Sequence, residues 1–448
     1  MLPKMTLAWL AIYWGGLIAA FGSTPVFALL VYLFEYYLRP ALHWWGKDLP
    51  SWRYSLIASL VVVVTYVTGK SKLPELRPSK NPAMRWLILF GAIMLLVTPI
   101  AVNLQESIDA SLVFWKMIAL YAFIIAILRT EWAFNAFVTM HIAGAGWWGW
   151  EAWTDPERDA SRLLNVGSSD TLNDNQAAGH LLTVLPFVML FALTAKDRRL
   201  RWFAMVAGAF IVNVFILCNS RGATVGLVVA LIATLLLARS GHRIRMAGVS
   251  VVVAAAFLFL ADPEFITRQL TTLNYEQEST AQGRLSNWGS GVRLLSDYPF
   301  GAGGYGYNEL SPIYAPQITG GRSTGKVSPH NTWILIAAEW GIAGFIAYLG
   351  FIGATFRLLH RVRAECTDDI TFYRSLAIEI GLIGTLAAGT FSDRLYGESI
   401  YWLCALAVVV YRIHRDRLET SPVVATDSPA DAWSAPGRAA FGPAARTA

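Results

Sequence analysis

The tetrapeptide Asn219-Ser220-Arg221-Gly222 separates two long apolar runs. A guanidinium at such a depth is costly unless it is paired or faces a wet cavity. Two roles compete for Arg221. One is a bidentate clamp on a phosphate, which guanidinium geometry suits; the other is a snorkelling side chain whose head group is solvated at an interface. Asn219 and Ser220 add hydrogen-bonding groups beside it, and Gly222 permits close backbone approach. His330 follows Pro329 and precedes Asn331 at the start of another apolar run. Backbone N–H groups at a helix start favour anions, and an imidazole there is placed to take a proton from a hydroxyl. A structural capping role is the alternative. Arg284 and Arg293 stand nine residues apart with Trp288 between them; in a helix that is about 2.5 turns, so they do not share a face. Glu339 is a carboxylate within an apolar helix, ahead of Gly341 and Gly344. It reads equally as a functional group or as a helix-packing residue. The run Pro299-Phe300-Gly301-Ala302-Gly303-Gly304-Tyr305-Gly306 matches neither a Walker loop nor a dinucleotide-binding turn. A tight turn and a direct phosphate contact are even alternatives for it.

The elements that must position these residues are apolar. Of 448 residues, 55% are hydrophobic and 15% charged, whereas a soluble domain carries about 25% charged residues. Solid apolar runs occupy 55–69, 86–102, 111–128, 132–150, 176–195, 201–218, 223–238, 245–261, 331–356, 371–391 and 398–412. A spanning helix needs roughly 20 such residues, and barrels show alternation instead. Shorter runs at 5–21 and 24–38 form either two helices or one broken hairpin. The expectation is an all-α polytopic membrane protein of about 12 transmembrane helices, 12 or 13 by this reading, with a large external loop. The segment 132–150, with His141 inside it and Trp147, Trp148 and Trp150 at its end, is the weakest span.

Lys and Arg collect in cytoplasmic loops near span ends. Here they collect in 70–85, 196–201, 239–245, 357–363 and 411–417, which are therefore read as inside. The intervening loops are acidic or neutral: 151–175 holds Glu151, Asp155, Glu157, Asp159, Asp170 and Asp174 against Arg158 and Arg162. The organisation expected is helices over 1–261, an external cap over 262–330 with a helical run at Gly283–Ser296, helices over 331–417, and a disordered cytoplasmic tail over 418–448. No cleavable signal peptide and no internal repeat is evident. The candidate residues, with Asn173, Asp174, Asn175, Arg394 and Glu398, fall on the outer side.

Absences narrow the chemistry. Cys218, Cys366 and Cys404 are scattered, and there is no HExxH, paired-histidine or external DxD pattern, so neither a disulfide framework nor a metal site is expected. No basic stripe with interleaved aromatics suggests nucleic acid. Lys116, Glu35 and Glu379 are isolated charges in apolar stretches, and they sustain a rival reading as a transporter or flippase of an anionic lipid or solute.

The ordered set Asn-Ser-Arg-Gly at 219–222, Gly-Arg-Leu-Ser-Asn-Trp at 283–288, Tyr-Pro-Phe-Gly-Ala-Gly-Gly at 298–304, His-Asn at 330–331 and Glu-Trp-Gly-Ile-Ala-Gly at 339–344 resembles the O-antigen ligase family of membrane glycosyltransferases. That family also includes polysaccharide polymerases and protein O-oligosaccharyltransferases. The resemblance covers roughly 170–412. The Trp-rich segments near 40–55 are similar to exosortase-associated O-glycosylation ligases. The resemblance implies a multi-pass enzyme of the bacterial inner membrane, acting at the periplasmic face without metal or other cofactor. It implies a glycan donor carried by undecaprenyl pyrophosphate and an acceptor hydroxyl on lipid A-core, protein or a second glycan. Carried onto this chain, Arg221 and Arg284 hold the diphosphate, His330 orients or deprotonates the acceptor, and Arg293 contributes less securely. Asn219, Ser220, Asn331 and Glu339 join them as candidate substrate contacts. A polysaccharide polymerase is the alternative within the same class.

Overall fold

The computed structural model describes residues 3–69, 81–156, 158–159, 162–163, 166–168, 170–171, 173–261, 263–270, 279–319 and 325–420. Most of the basic 70–85 loop and nearly all of the expected tail lie outside the described residues. Apart from a two-residue antiparallel pair, Arg158–Asp159 with Arg162–Leu163, the described elements are helical.

The chain begins with α1 (Lys4–Gly22), α2 (Val26–Tyr37) and α3 (Tyr54–Thr68). It continues through α4 (Pro82–Val97), α5 (Leu104–Ile127), α6 (Glu131–Thr154), α7 (Asp174–Leu181), α8 (Leu185–Thr194), α9 (Arg198–Leu217), α10 (Arg221–Leu237) and α11 (Arg243–Leu260). Short helices α12 (Pro263–Leu270), α13 (Ser279–Asp297), α14 (Gly306–Tyr314) and α15 (Pro316–Thr319) occupy the long connection. The bundle closes with α16 (Thr332–Glu365), α17 (Asp369–Ala388) and α18 (Glu398–Thr420). The helical run expected at 283–296 lies within α13.

Among the described residues, eight helical stretches are long and apolar enough to cross a membrane. Tyr54–Thr68 and Arg221–Leu237 are apolar but shorter. The weak segment at 132–150 is an unbroken helix, α6, buried along Phe134, Phe137, Val138, His141 and Gly144. Asp174–Thr194 forms one apolar stretch with a turn between α7 and α8.

Helix starts follow the polar residues that interrupt the apolar runs. Asn81, Asn103, Thr130, Asn173, Ser220, Asn331 and Asp368 each accept a hydrogen bond from a first-turn N–H. Such a cap satisfies one of the donors that a helix start leaves open.

Loops sort onto two ends of the bundle. At one end Arg239 reaches the Cys366 carbonyl, His242 lies 3.2 Å from Asp369, Arg374 pairs with Glu131 at 3.1 Å and Arg417 pairs with Asp368 at 3.3 Å. At the other, Val102 N–H donates to Ala302 O at 2.9 Å, the Ser220 hydroxyl to Asn175 at 2.8 Å, and Glu398 N–H to Asp170 at 2.7 Å. These are the groupings that the charge pattern separates.

Candidate functional site

His330 stands on the linker entering α16 with a positive φ of 50°, a conformation uncommon outside glycine. Its neighbours hold it there. Asn331 caps α16 by accepting from Trp333 N–H at 2.9 Å and Ile334 N–H at 3.1 Å, which leaves its amide nitrogen as the group for other contacts. Thr332 N–H donates to Gly389 O at 2.8 Å, and its hydroxyl donates to Ser392 O at 2.7 Å. Helix α16 is thereby tied to the loop between α17 and α18.

That loop brings Asp393 to His330. The carboxylate accepts from Asn331 N–H at 3.0 Å and from the Ser328 hydroxyl, and Oδ2 lies 3.7 Å from His330 Nδ1. His330 N–H donates to Ser328 Oγ at 3.3 Å. Burial raises the Asp393 carboxyl above the usual aspartate range, while the Ser328 hydroxyl, the His330 charge and the backbone N–H groups pull it back. The imidazole is half exposed, at 52%, and faces Asp393 through Nδ1, so Nε2 is the nitrogen not engaged by that carboxylate. Asp393 was not among the sequence candidates. Its signal was the polar run Ser392-Asp393-Arg394 between two apolar spans, of which only Arg394 drew notice. Arg394 is itself buried and holds Gln176 O at 3.0 Å and Ser399 Oγ at 3.1 Å.

Glu339 lies nine residues further along α16, fully buried. It accepts from the Tyr396 hydroxyl at 2.9 Å, which also accepts from Trp340 Nε1 at 3.2 Å. The glycine-rich run explains its setting. Helix α16 breaks at Gly341 (φ 69°, ψ −176°), and the freed backbone groups pair with the incoming loop. Ala302 N–H donates to Ala338 O and Gly303 N–H to Glu339 O, each at 2.9 Å, and Ile342 N–H donates to Pro299 O at 3.2 Å. A side chain at Gly301 would meet Glu339 O, and one at Gly341 would meet Pro299 and Phe300. The run is a backbone clip that sets the break beside Glu339.

His330, Asp393, Ser328, Glu339 and Tyr396 line one cavity of about 1370 Å³. The N-terminal segments and α5 also line it, with the cations Arg39, Lys47, Arg53 and Lys116 and the carboxyl of Glu35. Leu56 and Val63 of α3, with Leu120 and Phe123 of α5, make an apolar slot in the same cavity. Asp170 and Glu398 also line it, backed by a buried hydrogen-bonded chain. The Tyr36 hydroxyl donates to Asp170 and lies 3.3 Å from His180 Nδ1. His180 Nε2 is 2.7 Å from the Tyr37 hydroxyl, which is 2.5 Å from His141 Nδ1. No spacing along the chain signals this network.

The arginines are placed differently. Ser220 caps α10, Asn219 has φ 47° and its amide oxygen accepts from Gln269 at 3.4 Å. Arg221 is half-buried at the first turn of α10, and a side chain at Gly222 would meet Phe391. Across Phe391 lies Trp288, ring centroids 6.1 Å apart, one turn after half-buried Arg284. Gly222 beside Arg221 and Trp288 one turn after Arg284 thus both meet Phe391, two residues before Asp393, and neither arginine lines the cavity; Asn175, bonded to Ser220, does. Arg293 points elsewhere, donating to Ser290 Oγ and Tyr314 O, each at 2.9 Å, and so ties α13 to the end of α14. Glu379 forms a 2.6 Å ion pair with Arg363, close to the basic end. Among the described residues no group of three or more His, Cys, Asp or Glu is placed to hold a metal ion.

No curated protein matches the chain. Residues 206–349, about a third of the chain, match the family model described as O-Antigen ligase. They run from within α9 through the Arg221 turn, the helices α12–α15 and His330 to Glu339 and the break in α16, and over this stretch the chain is similar to the O-antigen ligase family.

Proposed function

We propose that the protein moves a glycan from undecaprenyl pyrophosphate to an acceptor hydroxyl at the periplasmic face of the inner membrane. The family supports a ligase or polymerase type of membrane enzyme in general; the donor, the acceptor and the face are the proposal. The observation that carries it is the His330–Asp393–Ser328 group at a large cavity whose lining sets Arg39, Lys47, Arg53 and Lys116 among carboxylates and beside apolar residues of α3 and α5.

In this reading the acceptor hydroxyl meets His330 Nε2. Asp393, facing Nδ1, keeps the proton on that nitrogen and steadies the imidazolium that forms when the hydroxyl proton is taken. The 3.7 Å separation is long for a hydrogen bond, and such contacts tighten when substrate binds. The acceptor oxygen then attacks the anomeric carbon as the bond to the diphosphate oxygen breaks. Negative charge grows on the departing diphosphate, and preorganised cations stabilise that charge best. Lys116 and Arg53 line the cavity for this role, and Arg221 and Arg284, whose neighbours Gly222 and Trp288 meet Phe391, take the diphosphate beyond the lining. The slot between α3 and α5 holds the start of the polyprenyl chain. No metal is assigned a part.

The test is transfer by purified protein from an undecaprenyl-pyrophosphate oligosaccharide with a chelator present. Lipid A-core, a candidate protein and a second lipid-linked glycan are offered as separate acceptors. Transfer that survives chelation and is lost in His330→Ala supports the proposal, and the accepting tube separates ligase from polymerase. Absence of transfer to every acceptor by folded protein overturns it.

A further inference from the structure

A second cavity, of about 480 Å³, lies beside the first and shares Ala41 and Lys47 with it. Ligand pockets commonly measure about 300–1,000 Å³. Five indoles line it: Trp44 and Trp45 from the turn after α2, and Trp147, Trp148 and Trp150 from the last turns of α6. We propose that this cleft is a glycan-binding subsite, holding sugar residues of the chain that enters or leaves the reaction cavity. The inference rests on the transfer reading for why a glycan is present, but the binding it predicts is independent of turnover.

Tryptophans also gather at membrane interfaces, where their amphipathic rings sit among head groups. The cleft has features that such a belt lacks. Its indoles converge from two separate segments onto a concavity, and charged groups stand among them. His43 Nδ1 lies 3.1 Å from Glu151 Oε1, and Asp155 and Lys47 complete the polar lining. A sugar ring presents apolar C–H faces and a rim of hydroxyls. Flat aromatic faces fit the first, and a carboxylate, an imidazole and an ammonium fit the second through charge-assisted hydrogen bonds. A lipid chain would press apolar surface on the His43–Glu151 pair, Asp155 and Lys47 and offer them no hydrogen bonds.

The framework is rigid where the ligand would press. Trp148 Nε1 donates to Tyr37 O at 3.0 Å, and the His43 ring stacks on Trp45 at 5.1 Å. The Thr6 hydroxyl donates to the Trp45 carbonyl. Trp44 and Trp150 are the open faces, 67% and 42% exposed. Replacing Trp44 removes a sugar platform and little packing, and replacing Trp150 also removes its contacts with Trp153 and Phe210, ring centroids 5.4 and 5.5 Å away.

The experiment is calorimetric titration of the full-length protein in lipid nanodiscs. The probe is the free oligosaccharide released by mild acid from lipid-linked glycans of the producing cell. Wild type should bind it, while Trp44→Ala and Trp150→Ala should each weaken binding about tenfold. Trp132→Ala, a 53% exposed indole at the start of α6, should bind as wild type does. In the transfer assay the two cleft variants should raise KM and spare kcat. The same titration with the acceptor glycan tells which substrate occupies the cleft. No binding of either glycan by wild type, or equal binding by all variants, overturns the subsite. Binding without any transfer activity would keep the subsite and reject the transferase.

Discussion

Replacing His330 by alanine removes a half-exposed side chain that faces Asp393 at 3.7 Å. Its linker is held by Asn331, Thr332 and Asp393. The expected result is a loss of transfer of about 10²–10⁴-fold, the usual worth of a general base, with an unchanged thermal midpoint. Asp393 carries a pH signature. Its carboxyl is raised, chiefly by burial, so it takes up a proton at a pH above the ordinary aspartate value of about 3.9. Protonation removes the negative charge facing His330 and weakens acceptance from Asn331 and Ser328. Transfer should therefore fall as pH drops through this raised value, and Asp393→Asn should already be slow at neutral pH. Wild-type transfer by Asp393→Asn at neutral pH would remove Asp393 from the mechanism. At this scale the sequence exposed His330, Arg221 and Glu339, because a polar residue in apolar surroundings stands out. It was silent about Asp393, whose role is made by contact with a residue on another element.

Two elements show how local chemistry sets the site. Gly341 sits at φ 69° and ψ −176°, a region that costs other residues of order 1–3 kcal/mol, and a side chain there meets the Pro299–Phe300 backbone. Gly341→Ala should lower the thermal midpoint and reduce transfer together, since it unseats the clip that positions Glu339. A variant that kept full stability would argue against that role. The buried Arg363–Glu379 pair, 11% and 8% exposed, belongs to packing of α16 on α17. Either single alanine should destabilise by about 3–5 kcal/mol, because it leaves an uncompensated charge, and the double variant should recover part of this. A transporter using Glu379 as a mid-path charge would instead lose flux in the conservative Glu379→Gln at unchanged stability. Helix starts were legible at Asn173–Asn175 and Asn331, whereas α5 begins at Leu104, seven residues before the apolar run at 111–128, because its first two turns are polar. The break at Gly341 was not, since a glycine in an apolar run reads the same in a straight helix as in a broken one.

For the whole molecule, the division of loops between two ends makes a topological prediction. In a chain freed of its three cysteines, Lys326→Cys lies at the cavity end and Arg361→Cys at the basic end, with wild-type side chains 48% and 56% exposed. An impermeant maleimide added to intact spheroplasts should label 326 and leave 361 unlabelled until the membrane is opened. The reverse pattern would place His330 in the cytoplasm and remove the periplasmic transfer reading.

Runs of apolar residues, the charges between them and the caps at their ends are properties of short stretches, and hydrocarbon and water act on each stretch separately. The helical membrane class, the ordering of loops by charge and most helix limits therefore followed from the amino-acid order alone. Helices apolar on every side carry no stripe to say which face meets which neighbour. Only the packed bundle decided that Asp393 faces His330, that Glu379 belongs to Arg363, that the glycine run clasps α16 at Glu339, and that Arg293 serves α14. The same packing joined the N-terminal tryptophans to those at the end of α6 around one cleft. Each of these pairings is made between segments distant along the chain, by side-chain shape and hydrogen-bond satisfaction within the bundle.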